Sequence, residues 1–194
     1  MPELVVDLWG DPTDPWSWLA KRRLEEAVAR SSRPADVTVV HHTLPRAPLS
    51  AEELQRASVT ARPDGLDITL AEPSRGDTRA ASRLVALAHS LGGPPLQAAL
   101  LERLFAAVFT EGADIASNPV LQRLAAEAGL DERRVGAVLA SEELSDEVDA
   151  DVALAAELGI EAPPFAVVGG RVGLGGVASV EDYLGRIESA LETA

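Results

Sequence analysis

The chain has 194 residues and no cysteine. That length predicts one domain, or one domain carrying an insertion, and 46% hydrophobic residues supply a packed core. The missing sulfur excludes structural disulfides, thiolate metal sites, iron–sulfur ligation and intrinsic thiol–disulfide chemistry. A formal charge of -14 argues against nucleic acid and anionic membrane surfaces as partners. The opening MPELVVDLWG has no basic region followed by an apolar one. No stretch of the sequence approaches the roughly 20 apolar residues that span a bilayer, and the expectation is a cytoplasmic protein. Lys21 is the only lysine among 17 basic residues, which reads as the codon bias of a GC-rich bacterial genome.

In chain order, Leu4 to Trp9 is an apolar, β-branched run ended by Gly10-Asp11-Pro12, the pattern of a buried strand. Asp14-Pro15 opens a helix, because a carboxylate accepts the orphan amide protons of a first turn and proline fits its first position. Leu19, Leu24 and Val28 carry the helix to Arg30, and Val37 to Thr43 is a second strand. Ala51 to Arg75 reads as a short helix and a loop holding Pro63-Asp64-Gly65 and Pro73. Helical periodicity covers Thr78 to Leu91, Pro95 to Phe109, Pro119 to Ala128, Asp131 to Leu139 and Glu143 to Leu158, with starts signalled at Asp114 and Asn118. Strands return at Phe165 to Val168 and Arg171 to Leu174 around Gly169-Gly170. Ser179 with Asp182 opens a last helix bearing Val180, Tyr183, Leu184, Ile187 and Leu191 on one face. The order predicts an α/β fold in which residues 1–50 and 159–194 form one domain and 51–158 an all-helical insertion.

Three stretches resemble the DsbA superfamily, most closely its FrnE-like branch, with the 2-hydroxychromene-2-carboxylate isomerases and kappa-class glutathione transferases. Asp7-Leu8-Trp9-Gly10-Asp11-Pro12-Thr13-Asp14-Pro15-Trp16-Ser17-Trp18, running into Lys21-Arg22-Arg23-Leu24, is similar to the family's strand, CPWC turn and first helix. Thr78-Arg79-Ala80, Arg83-Leu84 and Leu104-Phe105 through Ile115 resemble its helical insertion, shortened here around residues 55 to 77. Gly159-Ile160-Glu161-Ala162-Pro163-Pro164-Phe165 through Gly170, with Gly173 and Gly176, resembles its cis-proline loop and closing hairpin. The resemblance implies a thioredoxin-like fold with a helical insertion and a ligand groove beside residues 14–17. Asp14 stands at the position of the family's first cysteine, a serine in the isomerase and kappa-class members, and Ser17 at the second. Ser82 replaces a family histidine. Pro163 stands where the residue before the cis-proline pairs its backbone with a substrate peptide or glutathione, and proline has no N–H to offer. Val177 and Ala178 stand where the kappa class holds glutathione with a serine and an aspartate.

The helix N-terminus that makes a cysteine a nucleophile would hold Asp14 as a permanently ionised carboxylate and weak base; the competing reading is a plain N-cap worth about 1 kcal/mol. Ser17 is a candidate hydroxyl with no base legible beside it. His41 and His42 are candidate proton-transfer partners, of which at most one faces the groove, because adjacent strand side chains point to opposite faces. Trp16 is the candidate wall for an aromatic or apolar ligand, with Trp9, Phe105 and Phe109 as further walls or, alternatively, core residues; Pro163 and Pro164 complete the substrate-binding set. His89 reads as structural, and three dispersed histidines give no metal spacing, so neither metal nor cofactor is expected. Gly169 to Gly176 lacks the Lys-Ser/Thr ending of a phosphate loop, and Glu142 to Asp151 reads as a solvated helix face. The expectation is a cysteine-less protein without disulfide redox activity that binds a small aromatic or apolar metabolite and isomerises it by proton transfer beside Asp14. A non-catalytic binding or scaffold protein and an enzyme borrowing glutathione or mycothiol are the alternatives. The expected partner is a small-molecule ligand, not nucleic acid or membrane, and at most a second copy of the chain in a homodimer.

Overall fold

The computed structural model describes residues 4–69 and 77–193; the end of the expected loop, Pro73 to Arg75, lies outside them. Strands β1 (Leu4–Gly10), β2 (Val37–Thr43), β3 (Phe165–Val168) and β4 (Val172–Gly175) form one sheet in the order β2-β1-β3-β4. β1 runs parallel to β2 and antiparallel to β3, which pairs antiparallel with β4. Alternation along β1 sorts the two faces. Leu4, Val6 and Leu8 enter a core shared with α1 (Pro15–Arg30) and α7 (Val180–Thr193), where Leu24, Tyr183 and Ile187 are buried. Trp9 points to the opposite face and packs with Leu44, Ala155, Ile160 and Phe165. Phe165 lies so close over β4 that a Cβ on Gly173 would come within 2.8 Å of its ring.

Between β2 and β3 run α2 (Ala51–Ala61), α3 (Arg79–Phe109), α4 (Asn118–Glu127), α5 (Glu132–Leu139) and α6 (Ser145–Glu157). The two helices expected at Thr78 to Leu91 and Pro95 to Phe109 are joined end to end as α3, broken at Gly93, whose φ of 64° and ψ of -161° are non-helical. Asp114 starts no helix. Its carboxylate accepts the Ala116 N–H at 3.0 Å in a turn, and α4 follows with Ser117 as its N-cap. By length and composition α3 is apolar enough to cross a membrane, with a window of mean hydropathy 1.3, which corrects the reading that no such stretch exists. Its residues Leu84, Leu87, Leu100 and Leu104 instead pack with Leu121, Leu124 and Val135 in the core of the helical layer.

Trp18 of α1 reaches that core and stacks on Phe105 and Phe109, both with ring centroids 6.0 Å away. These phenylalanines are 2% and 1% exposed, so they are interior residues and not groove walls. Nearby, the ammonium of Lys21, itself 3% exposed, pairs with Glu25 at 2.7 Å and Glu102 at 3.0 Å, and Trp18 Nε1 donates to Glu102 at 3.1 Å. A buried charge is tolerated only when paired in this way, and the one lysine is a joint between α1 and α3.

α6 meets the other face of the sheet through His42. Its Nδ1 lies 2.6 Å from Asp151 Oδ1 and its Nε2 lies 2.9 Å from Asp7 Oδ1, while Asp151 Oδ2 accepts the Thr43 N–H at 2.8 Å. Asp151 therefore turns inward, unlike the solvated position expected of the acidic run that contains it. The imidazole also stacks on Trp9 with centroids 4.5 Å apart. Burial alone would lower the His42 pKa, but hydrogen bonds to the two carboxylates prevail and raise it to about 9. Because this lies above the 6.5 of an unperturbed histidine, the contribution to stability is complete below pH 6.5 and is lost as pH rises through about 9. His42→Asn is expected to cost about 1–3 kcal/mol at pH 6 and progressively less towards pH 10. Urea unfolding across that range measures the difference, and a penalty independent of pH contradicts the assignment.

Candidate functional site

The turn from β1 into α1 is built on Asp11, which is 3% exposed. Its Oδ1 accepts the N–H and the hydroxyl of Thr13, both at 2.7 Å, and its Oδ2 accepts the backbone N–H of Arg46 at 2.6 Å. That last bond fixes the loop after β2 over the start of α1. Arg46 Nη1 then donates to the Pro163 carbonyl at 2.9 Å and lies 3.6 Å from Asp14 Oδ1, while Nη2 lies 3.9 Å from Glu53 Oε1 on α2. Neither Asp11 nor Arg46 stands out in the sequence. The one local signal is an aspartate two residues before a threonine, a side-chain turn.

Asp14 caps α1 with both oxygens. Oδ1 accepts the Trp16 N–H at 3.3 Å, and Oδ2 accepts the Ser17 N–H at 3.0 Å and the Ser17 hydroxyl at 2.7 Å. Ser17 Oγ accepts the Asp11 N–H at 3.2 Å, so its hydroxyl is engaged as donor and acceptor. Asp14 is 0% exposed and Ser17 2%. Here the carboxylate is mostly ionised at neutral pH, but it takes up a proton near pH 6 and is not permanently charged. Burial raises the Asp14 pKa from 3.8 to about 6, against the lowering effects of the Ser17 hydroxyl, Arg46 and the Trp16 amide, with Asp11 adding a smaller upward push. A helix N-terminus acts as roughly half a positive charge, whereas stripping water from a carboxylate costs several kcal/mol, and the larger effect wins.

Pro163 and Pro164 sit behind Arg46, joined by a cis peptide bond. Pro163 lacks an N–H and its carbonyl is held by Arg46, while the Pro164 carbonyl accepts the Gly176 N–H at 2.9 Å. The backbone groups with which an added peptide strand would pair are thus absent or already bonded. Trp16, half-buried, faces outward. With Arg46 and the α2 residues Glu53, Arg56 and Val59 it lines an open groove of about 460 Å³.

The two histidines part company. His41, opposite Leu8 in the β1–β2 ladder, lies beneath the helix start, where it lines a void of about 20 Å³ with Ser17, Lys21 and Thr43. Burial, with Lys21 beside it, lowers its pKa to about 3 and keeps it neutral. The Gln97 amide bonds both its backbone groups, at 3.0 and 2.8 Å. His42 and Trp9 lie on the far face. Trp9 is 1% exposed with Nε1 donating to the Asp151 carbonyl at 3.3 Å, so neither residue reaches the groove. The structure therefore gathers Asp14, Ser17, Trp16, Pro163 and Pro164 at one place, sets His41 beneath them at a small void that His42 and Phe105 also line, and keeps His42, Trp9, Phe105 and Phe109 out of the open groove over Trp16. Among the described residues no group of His, Asp and Glu side chains has the arrangement to hold a metal ion.

A capped helix facing a cis-proline across the end of a four-stranded sheet has known counterparts. The sequence matches the DSBA-like thioredoxin domain over residues 5–188. The chain belongs to this family. Similar solved structures include a probable DsbA oxidoreductase from Streptomyces coelicolor, 28% identical with a TM-score of 0.87 over 99% of this chain and 92% of that one. The cytosolic disulfide reductase DsbM from Pseudomonas aeruginosa, 22% identical with a TM-score of 0.75 over 98% and 100%, shares the fold. So does a 2-hydroxychromene-2-carboxylate isomerase, 18% identical with a TM-score of 0.70 over 97% and 95%. No curated protein matches the sequence. This DsbA-like domain carries no cysteine at all.

A carboxyl whose folded pKa of about 6 exceeds its ordinary 3.8 binds its proton more tightly in the folded state. Folding stability therefore falls as pH rises through that window. Asp14→Asn keeps a capping side chain and removes the charge. It is expected to raise stability by about 1–3 kcal/mol at pH 7.5 and to change it little near pH 4. Denaturant unfolding at the two pH values measures this, and equal stability of the two proteins at pH 7.5 contradicts it.

Proposed function

We propose that this DsbA-like domain binds a small aromatic molecule in the groove over Trp16 and acts without thiol chemistry. The observation that carries the reading is the half-buried Trp16 indole, turned into a groove of about 460 Å³ between α1 and α2. Aromatic side chains in such clefts supply a large apolar surface with defined stacking geometry. The thiol alternatives find no support at the same place. The chain has no sulfur nucleophile, and the Pro163 carbonyl that would receive a glutathione-like backbone is bonded to Arg46.

Proton transfer, as in an isomerase, is the second reading, and one observation favours it: a carboxyl brought to about 6 by burial and hydrogen-bonded to a serine hydroxyl at 2.7 Å. A group with a pKa near the working pH is suited to general acid–base catalysis. Asp14 is sealed, however, so a substrate atom reaches it only after Arg46 moves aside.

Because Trp9 and Trp18 are 1% and 3% exposed, quenching of tryptophan fluorescence by a ligand reports on Trp16. Titration with a panel of aromatic acids and quinones is expected to give saturable quenching for some members; Trp16→Leu, which removes the reporter and is therefore followed by calorimetric titration, is expected to weaken that binding about tenfold. The absence of saturable quenching across the panel overturns the reading.

A further inference from the structure

Arg46 faces two ways. On one side its guanidinium touches the Pro163 carbonyl and lies 3.6 Å from the sealed carboxyl of Asp14; on the other it is 25% exposed and forms part of the groove wall beside Trp16. We propose that the groove takes its ligand as an anion paired with Arg46, and that each binding event draws a proton onto Asp14. This rests on the groove reading above and adds to it the charge of the ligand and the coupling.

The charged and polar groups around Asp14 define how that coupling works. From α1 it meets the Ser17 hydroxyl and the Trp16 and Ser17 amides, from the β1–α1 turn the carboxylate of Asp11, and from the loop after β2 the guanidinium of Arg46. Below Ser17 lie neutral His41 and, around the small void, Lys21, whose charge is matched by Glu25 and Glu102, and His42, whose charge is matched by Asp7 and Asp151. Beyond Arg46, on α2, stand Glu53 and Arg56. Glu53 is a poor competitor for Arg46. Its carboxylate is held by the Ser50 N–H at 2.9 Å and the Ser50 hydroxyl at 2.8 Å, leaving 3.9 Å to the guanidinium.

The pieces then fit without further assumption. Arg46 is the cation that favours ionised Asp14, against burial that favours the protonated form. An anion seated on Trp16 recruits Arg46, with Arg56 exposed on the same wall. The attraction on the carboxylate weakens, a second negative charge enters the neighbourhood, and Asp14 Oδ takes up a proton from solvent; no other bond is made or broken. Linkage requires the reverse effect to be equal: protonation of Asp14 releases Arg46, so the anion binds more tightly as pH falls.

The test uses the full-length protein with 2-naphthoate and its neutral isostere 2-naphthamide. Affinity is read from tryptophan quenching between pH 6 and pH 8, and proton uptake from calorimetric titration in two buffers of different ionisation enthalpy. The expected result is binding of 2-naphthoate about threefold to tenfold tighter at pH 6 than at pH 8, with roughly 0.3–0.6 proton taken up at pH 7. 2-Naphthamide is expected to bind more weakly, with no proton uptake. Asp14→Asn is expected to bind 2-naphthoate with neither proton uptake nor pH dependence, and the amide comparison in the unaltered protein carries the test if this variant does not fold. Equal affinity for acid and amide, or 2-naphthoate binding without proton uptake, overturns the inference while the groove reading stands. Failure of both compounds to bind overturns the two together.

Discussion

A carboxyl buried from solvent begins α1, and the rest of the site is arranged around that constraint. Both oxygens of Asp14 serve the cap, yet the hydrogen bonds that normally keep such a carboxylate ionised do not offset its burial. Its surroundings follow from the same difficulty. Asp11 holds the turn in front of it, the Ser17 hydroxyl donates a hydrogen bond to it, and Arg46 is brought over it by a backbone hydrogen bond to Asp11. In a thiol enzyme this helix start would expose a sulfur atom to substrate. Here it closes on itself, and what faces the open groove is the indole of Trp16 with the guanidinium of Arg46 beside it.

The helix that carries this cap is held on all sides. Trp18, Lys21 and Glu102 join it to α3 through one aromatic stack and one buried ion pair. Arg23 grips Asp64 beyond α2 with two parallel bonds of 2.8 and 2.9 Å, a geometry that fixes direction as well as distance. Leu24 and the α7 residues Tyr183 and Ile187 close the remaining face against the sheet. Because α1 is pinned and α2 is tied to it through Arg23, the groove between them is a feature of the fold, and Arg46 forms its wall as a partly exposed side chain on a loop.

Local signals were legible in the sequence wherever the physics was local. The Asp14-Pro15 start of α1, the Gly92-Gly93-Pro94-Pro95 interruption of α3 and the Ser179–Asp182 cap of the last helix all depend on residues within one turn of each other. The family resemblance added the placement of the site. What stayed hidden depends on distance along the chain. Arg46 meets Asp11 across 35 residues and His42 meets Asp151 across 109, so neither partner announces the other. Phe105 and Phe109 have the spacing of a buried stripe, but periodicity does not say which core they enter. Trp18 settles it. The raised pKa of Asp14 was hidden for the same reason: capping is written in the sequence, and the burial that pushes the pKa to about 6 arises only when the loop after β2 folds over the cap.

This DsbA-like domain without cysteine thus begins α1 with a buried carboxyl, which an arginine separates from the groove beside Trp16. The most direct test of this account is the pH titration of the Asp14 carboxyl carbon by NMR, assigned through Asp14→Asn. The account predicts a midpoint near 6. A midpoint at or below about 4, the range of an unperturbed aspartate, would show that the cap outweighs burial after all and would contradict it.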